Sequence, residues 1–201
     1  MILPPLERIP WWGFATAVLT PVALVGGWLT AGATVRGYDP VRSSVSDLAA
    51  ADSTSRWLMA AALVLTGLGY AATAVALRPA DVAGRGLLFV GGVGVLLTAW
   101  IPNQEQGRNS VGHMIVTYLA FIALTVWPAV IARNRPDAPW VLRRRFGQVV
   151  VIVLGVLLLL TVAEIVVGGA TLGLRERVLT TAQALVPLIV AIGCRARSEA
   201  P

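Results

Sequence analysis

The sequence predicts an all-α protein, a polytopic membrane bundle of six transmembrane helices in a single integral membrane domain over residues 1–201. Hydrophobic residues make up 57% of the chain and charged residues only 13%, whereas soluble domains carry about 25% charged residues. Six apolar stretches are long enough to cross about 30 Å of hydrocarbon as helices. The stretches lack the polar–apolar alternation of a membrane β-barrel, which favours the helical class.

The six predicted helices cover residues 12–32, 57–77, 84–101, 112–132, 147–169 and 178–194. Backbone groups in lipid have no water to bond, so each stretch satisfies its own hydrogen bonds only as a helix. The fifth stretch is the most apolar, because residues 149–162 are almost wholly aliphatic.

Composition excludes an ordinary soluble enzyme and several kinds of site. The chain has 16 basic residues, all arginine, and 10 acidic residues, for a net charge of +6. Such a charge in a soluble protein suggests nucleic-acid binding, but these arginines flank apolar segments, which indicates membrane topology and no nucleic-acid partner. Cys194 and His113 are the single cysteine and histidine. We therefore expect no disulfide framework, no metal and no cofactor.

The distribution of arginine among the loops predicts that both termini are cytoplasmic. The side of the membrane that holds the termini carries 10 arginines and the opposite side carries 6. Cytoplasmic loops have an excess of basic residues, and the cluster at residues 143–145 contributes most of this difference. We expect a multi-pass protein of the bacterial cytoplasmic (inner) membrane, in contact with membrane lipids. The oligomeric state is left open.

The predicted outer side gathers polar side chains from the first and third loops and from the adjoining helix ends. Its arginines either bind a phosphate or carboxylate, for which the guanidinium fork is well shaped, or pair with neighbouring acids. The candidate substrate-binding residues on this side are Arg36, Tyr38, Asp39, Arg42, Arg108 and Gln183.

Glu164 lies inside the fifth predicted helix, about 7.5 Å below its outer end. A charged carboxyl group is costly in hydrocarbon, and such residues face the bundle and mark functional sites. One interpretation is an acid or a contact to a cation or substrate. The alternative is a structural partner for Arg175 or Arg177, one short loop away.

His113, Ser46 and Asp47 are further candidates for chemistry. His113 is either a general base or an interfacial side chain bonded to the third loop. Ser44 followed by Asp47 resembles a capping box that begins a short interfacial helix at residues 45–51. Ser46 and Asp47 are also candidates for a pocket, with Ser46 a nucleophile beside His113. The candidate catalytic residues are therefore His113, Asp47, Glu164 and Ser46.

The order of these motifs resembles a known family. An outer loop after the first membrane helix contains a Tyr-Asp-Pro motif and a Ser-x-Ser-Asp-Leu motif. A proline ends the third helix and a histidine opens the fourth. The matching positions are Tyr38, Asp39, Pro40, Ser44, Ser46, Asp47, Leu48, Pro102 and His113.

This pattern resembles the prokaryotic six-helix membrane family catalogued as domain of unknown function nine-nine-eight, over nearly the whole chain. Where such families often have an aspartate soon after the helix-three proline, this chain has Asn103 and Glu105. The resemblance implies a small integral membrane protein and supplies no established reaction.

Three functions are compatible with these residues, and whether the protein is an enzyme is left open. The first is an enzyme that acts on a lipid or isoprenoid in an outer-facing polar pocket. The second is a small-solute or ion-coupled transporter with Glu164 and Gln183 along its path. The third is a non-catalytic membrane subunit or partner-binding protein. The gathering of titratable groups on one side favours the first.

Overall fold

In a computed structural model, residues 8–132 and 138–198 are described, with side chains as far as residue 196. Within these ranges the regular structure is helical and contains no strand, which confirms the all-α fold class. The helices are α1 Trp11–Thr34, α2 Val45–Leu48, α3 Arg56–Ala76, α4 Val82–Trp100, α5 Val111–Val126, α6 Arg144–Val167 and α7 Leu172–Ser198. Turns of 3-10 helix follow α5 at Trp127–Ala129 and precede α6 at Trp140–Leu142.

All of these helices except α2 are long and apolar enough to cross a membrane. The six candidate spans have mean hydropathies from 1.6 for α1 to 3.0 for α6. The α4 span has 19 residues, which at 1.5 Å per residue gives about 28 Å. The protein is therefore a multi-pass membrane protein, as the composition predicts.

Two predicted helix boundaries are wrong by a turn or more. Helix α7 begins at Leu172, six residues before the predicted start at position 178. The prediction counted only apolar residues as helix, so it left out the charged first turns of α7. The fold buries two of these charged residues, Glu176 and Arg177, among polar partners. Helix α5 ends at Val126 and continues as a 3-10 turn, because Pro128 lacks an N–H for a further α-helical bond.

The six spanning helices form a ring in chain order. Neighbouring contacts run from α1 to α3, α4, α5, α6 and α7, and α7 closes the ring against α1. Short connections make successive helices antiparallel, so three connections meet at one end of the bundle. We call this end the polar end; it consists of residues 35–55, 101–110 and 168–171.

Apolar side chains that the ring leaves exposed face outward, where lipid would cover them. On α6, Ile152, Val156 and Leu159 are at least half exposed, and only 11% of the most apolar stretch of this helix is buried within the protein. A continuous apolar surface of this kind marks membrane contact.

Glycine sets the separation of α3 and α4. A Cβ added to Gly67 would lie 2.7 Å from the carbonyl oxygen of Gly92, and one added to Gly92 would lie 2.8 Å from that of Gly67. Small residues at facing positions let membrane helices pack with their backbones in close contact. Neither position accepts a side chain without moving a helix.

We expect Gly67→Ala to lower the free energy of unfolding by about 2 kcal/mol, because the added methyl group meets backbone atoms that cannot rotate away. The matched control is Gly155→Ala, since a Cβ at Gly155 has no neighbour within 4 Å. Thermal unfolding in detergent measures both. Equal stability of the two variants would contradict the tight α3–α4 contact.

Candidate functional site

A capping box builds the short helix α2 in the first connection of the polar end. The Ser44 hydroxyl accepts a hydrogen bond from the backbone N–H of Asp47 at 3.0 Å, and Asp47 Oδ2 accepts one from the N–H of Ser44 at 2.8 Å. This confirms the predicted box, although α2 ends at Leu48 rather than at position 51. Asp47 Oδ1 also accepts from the N–H of Gly107 at 2.9 Å, which ties α2 to the α4–α5 connection.

His113 begins the buried face of α5. Its own N–H donates to the cap residue Ser110, and its side chain is only 3% exposed. The imidazole Nδ1 lies 2.8 Å from the carbonyl oxygen of Ile101. A carbonyl oxygen only accepts, so Nδ1 carries the proton and Nε2 of the neutral ring is an acceptor.

The fold brings Ser46 against this acceptor. Ser46 Oγ lies 3.1 Å from His113 Nε2, across 67 residues of sequence. Because Nε2 of the neutral ring has a free lone pair, the serine hydroxyl donates a hydrogen bond to the imidazole. A hydroxyl bonded to a histidine that a third group orients is the arrangement of an activated nucleophile.

Glu176 lies on the other side of Ser46 and was not among the predicted site residues. Its Oε2 accepts from the N–H of Val45 at 2.8 Å, and its Oε1 lies 3.5 Å from Ser46 Oγ. The side chain is buried. The shorter distance to His113 makes the imidazole the better acceptor for the serine proton. Glu176 holds the first residue of α2 and so fixes where Ser46 points.

Arg177, the next residue, clamps the first connection to α7. Its Nη1 donates to the carbonyl oxygens of Pro40, Ser43 and Gly173 at 2.7, 3.0 and 2.8 Å. Its Nη2 donates to the Tyr38 hydroxyl. Its guanidinium also lies over the Trp28 ring, 5.1 Å from the centroid. These bonds fasten the carbonyl groups of Pro40 and Ser43, in the first connection, to the first turns of α7.

Tyr38 completes the clamp. Its hydroxyl donates to the carbonyl oxygen of Ser44 at 2.8 Å while accepting from Arg177. Burial raises the pKa of Tyr38 to about 12, although the Arg177 guanidinium acts in the opposite direction. The phenol is therefore neutral at physiological pH and keeps the proton that this bond requires.

Two small cavities adjoin Ser46. A cavity of about 50 Å³ lies inside the ring, between Ser46 and the buried amide of Gln183. A second, of about 40 Å³, is bounded by α5, α6 and α7 and lined by His113. Both are lined by Ser46, Thr117, Phe121 and Glu176, so these side chains form the wall between them.

Glu164 has structural partners at the end of α6. Its Oε2 lies 2.9 Å from Arg175 Nε, and its Oε1 accepts from the N–H and the hydroxyl of Thr171 at 2.7 and 2.8 Å. Of the two partners suggested by the sequence, Arg175 is the one it contacts. Glu164 lines neither cavity beside Ser46.

The other predicted binding residues do not gather in one place: most lie at the surface of the polar end, and Gln183 lies inside the bundle. Arg42 pairs with Asp39 at 3.6 Å and Arg108 with Glu105 at 3.0 Å, all at the surface. Arg36 is exposed. Gln183 is 1% exposed and donates to the carbonyl oxygen of Phe121 at 3.0 Å. Only Tyr38 and Gln183 of this set belong to the buried site or its walls.

Across residues 8–132 and 138–198, no group of three His, Cys, Asp or Glu side chains is placed to hold a metal ion. The polar atoms beside Ser46 come from one hydroxyl, one imidazole and one carboxyl group. This donor set is suited to proton transfer and nucleophilic attack.

Fold and site together define a multi-pass helical membrane protein in which a partly buried serine bonds a buried histidine at one end. The chain belongs to the family described as "Protein of unknown function (DUF998)", whose sequence profile matches residues 18–193. This confirms the family resemblance drawn from the loop motifs. No curated protein and no solved structure matches the chain.

We expect Arg177→Met to lower the free energy of unfolding by about 3 kcal/mol, because it removes the charged donor that bonds the carbonyl oxygens of Pro40 and Ser43 and the Tyr38 hydroxyl. The control is Arg42→Met, which removes an exposed pair and should cost under about 1 kcal/mol. Chemical unfolding in detergent compares them. A loss at Arg177 no larger than at Arg42 would show that the clamp does not hold the loop.

Proposed function

We propose that the protein is a membrane enzyme that cleaves or transfers the acyl group of a lipid or isoprenoid ester, with Ser46 as nucleophile and His113 as general base. The observation that carries the proposal is the bond from Ser46 Oγ to His113 Nε2, with Nδ1 anchored on the carbonyl oxygen of Ile101. The anchor fixes the tautomer and the ring orientation, the role that a carboxylate has in many hydrolases.

In the proposed reaction Ser46 Oγ attacks the ester carbonyl carbon, and its proton passes to His113 Nε2 as the new C–O bond forms. The tetrahedral intermediate collapses, the bond to the leaving alkoxide oxygen breaks, and the imidazolium returns the proton to that oxygen. Water or an acceptor alcohol then attacks the acyl-serine by the same path in reverse, which regenerates the Ser46 hydroxyl.

The neighbouring carboxyl groups have separate roles in this scheme. Asp47 is a positioning residue, because both of its oxygens accept backbone N–H groups that hold α2 and the α4–α5 connection. Glu176 positions α2 through Val45 and lines the second cavity together with His113. Glu164 stabilises the start of α7 through Thr171 and Arg175, so the reaction does not require it.

Size and location favour a lipid as substrate. The two cavities, of about 50 and 40 Å³, hold only a few non-hydrogen atoms, so the reacting group enters and the rest of the molecule stays outside. Direct contacts between α5 and α6 are few, and residues of both helices line the second cavity. An ester at the level of the lipid headgroups reaches Ser46 by this route while its chains remain in the bilayer.

A long-chain alkyl fluorophosphonate tests the nucleophile. The wild-type protein in detergent should form one adduct at Ser46, as the Oγ–P bond forms, the P–F bond breaks and fluoride leaves. Ser46→Ala should give no adduct, and His113→Ala should react at least about 100-fold more slowly. Mass spectrometry of peptides measures both the position and the rate.

The control is Ser43→Ala, since Ser43 lies in the same connection but lines neither cavity. It should react at the wild-type rate. A folded wild-type protein that stays unmodified, or that reacts at a residue other than Ser46, would contradict the proposed chemistry.

We also propose that the polar end faces the outside of a bacterial cytoplasmic membrane, which the arginine bias supports. Cys194 is the single cysteine, so Cys194→Ala gives a background for labelling with a membrane-impermeant maleimide. Intact cells should label Arg42→Cys in the first connection, and only lysed cells should label Arg143→Cys before α6. The reverse pattern would invert the orientation.

A further inference from the structure

The Thr117 hydroxyl is a buried polar group without a partner. Its oxygen has almost no exposed surface, and it makes no hydrogen bond with any of the described residues. Other threonines in the bundle satisfy themselves: Thr66 and Thr98 donate to carbonyl oxygens of their own helices at 2.7 Å. Thr117 departs from this pattern.

The unpaired Thr117 hydroxyl lies beside the candidate site. Thr117 lies one helical turn after His113, on the same face of α5 and about 6 Å further along the helix. It lines both cavities beside Ser46, in the wall that it shares with Phe121 and Glu176. A group bound at Ser46 therefore comes within reach of this hydroxyl.

An unpaired buried hydroxyl destabilises a protein unless a ligand or ordered water supplies its partner. Valine has nearly the shape of threonine and would fill the same space without the unpaired group. The hydroxyl is suited to a partner that enters with the substrate.

We propose that Thr117 is a substrate-binding and catalytic residue, whose hydroxyl donates a hydrogen bond to the oxygen of the group that Ser46 attacks. In the acyl transfer proposed above, on which this inference rests, that oxygen is the ester carbonyl. It gains negative charge as the tetrahedral intermediate forms, so the bond from Thr117 strengthens in the transition state and lowers the barrier.

Thr117→Val separates this role from a structural one. The rate of modification of Ser46 by the alkyl fluorophosphonate should fall about 10- to 100-fold, because the phosphoryl oxygen takes the place of the carbonyl oxygen and loses its donor. Thr117→Ser keeps the hydroxyl and should retain most of the rate. The melting temperature of Thr117→Val should equal or exceed that of the wild type, since no protein hydrogen bond is lost.

The matched control is Thr20→Val. Thr20 is also a buried threonine, but its hydroxyl donates to the carbonyl oxygen of Thr16 at 2.8 Å and it lines neither cavity. Its rate of modification should match the wild type.

Several outcomes would overturn the role of Thr117. One is a Thr117→Val rate within twofold of the wild type while Ser46→Ala abolishes modification, which leaves the proposed nucleophile intact. Another is a loss of rate that is accompanied by a lower melting temperature and that Thr117→Ser does not rescue, which would assign Thr117 to packing. Failure of the wild-type protein to react at Ser46 would instead remove the proposed function itself.

Discussion

The buried pair Glu176 and Arg177 at the start of α7 holds the polar end together, and the position of Ser46 depends on it. Arg177 gathers carbonyl oxygens of the first connection, and Glu176 accepts the N–H of Val45 at the start of α2. Both side chains leave water at a cost that only good partners offset. One turn of α7 thus adds polar anchors to a loop whose apolar side chains Val45 and Leu48 pack against α1 and α3.

The need of partly buried polar groups for hydrogen-bond partners explains most side-chain positions at the polar end. Glu164, Asp47 and Tyr38 each bind a backbone group or an arginine, as low-dielectric surroundings require. Two features beside the cavities differ from this background: the bond from the Ser46 hydroxyl to an imidazole and the Thr117 hydroxyl, which has no partner.

Hydropathy and capping patterns were sufficient to predict the architecture. The six spans follow from apolar length, and the Ser44–Asp47 box follows from local spacing. The predicted start of α7 came too late, because the apolar pattern stops at charged residues. Two of these, Glu176 and Arg177, are buried by tertiary partners that the sequence does not reveal. A carboxylate and an arginine adjacent in sequence, just before an apolar run, were the available signal.

The site itself required three-dimensional information. Ser46 and His113 were both candidates, but their 3.1 Å contact joins residues 67 positions apart, which local pattern does not determine. Thr117 shares a helix face with His113, yet its missing partner is a property of the packed bundle. Glu164 drew attention as a membrane carboxylate, and the sequence did not distinguish Arg175 from Arg177 as its partner, which the 2.9 Å contact with Arg175 now identifies.

The protonation of His113 tests the account most directly, and the chain's single histidine makes the measurement unambiguous. Nitrogen-15 NMR of protein labelled only at histidine should show a neutral ring with its proton on Nδ1 and an unprotonated Nε2 that accepts a hydrogen bond. The Nε2 resonance should move in Ser46→Ala, while Nδ1 stays bonded to the carbonyl of Ile101. A proton on Nε2 of the neutral ring, or an Nε2 signal indifferent to Ser46, would contradict the proposed site.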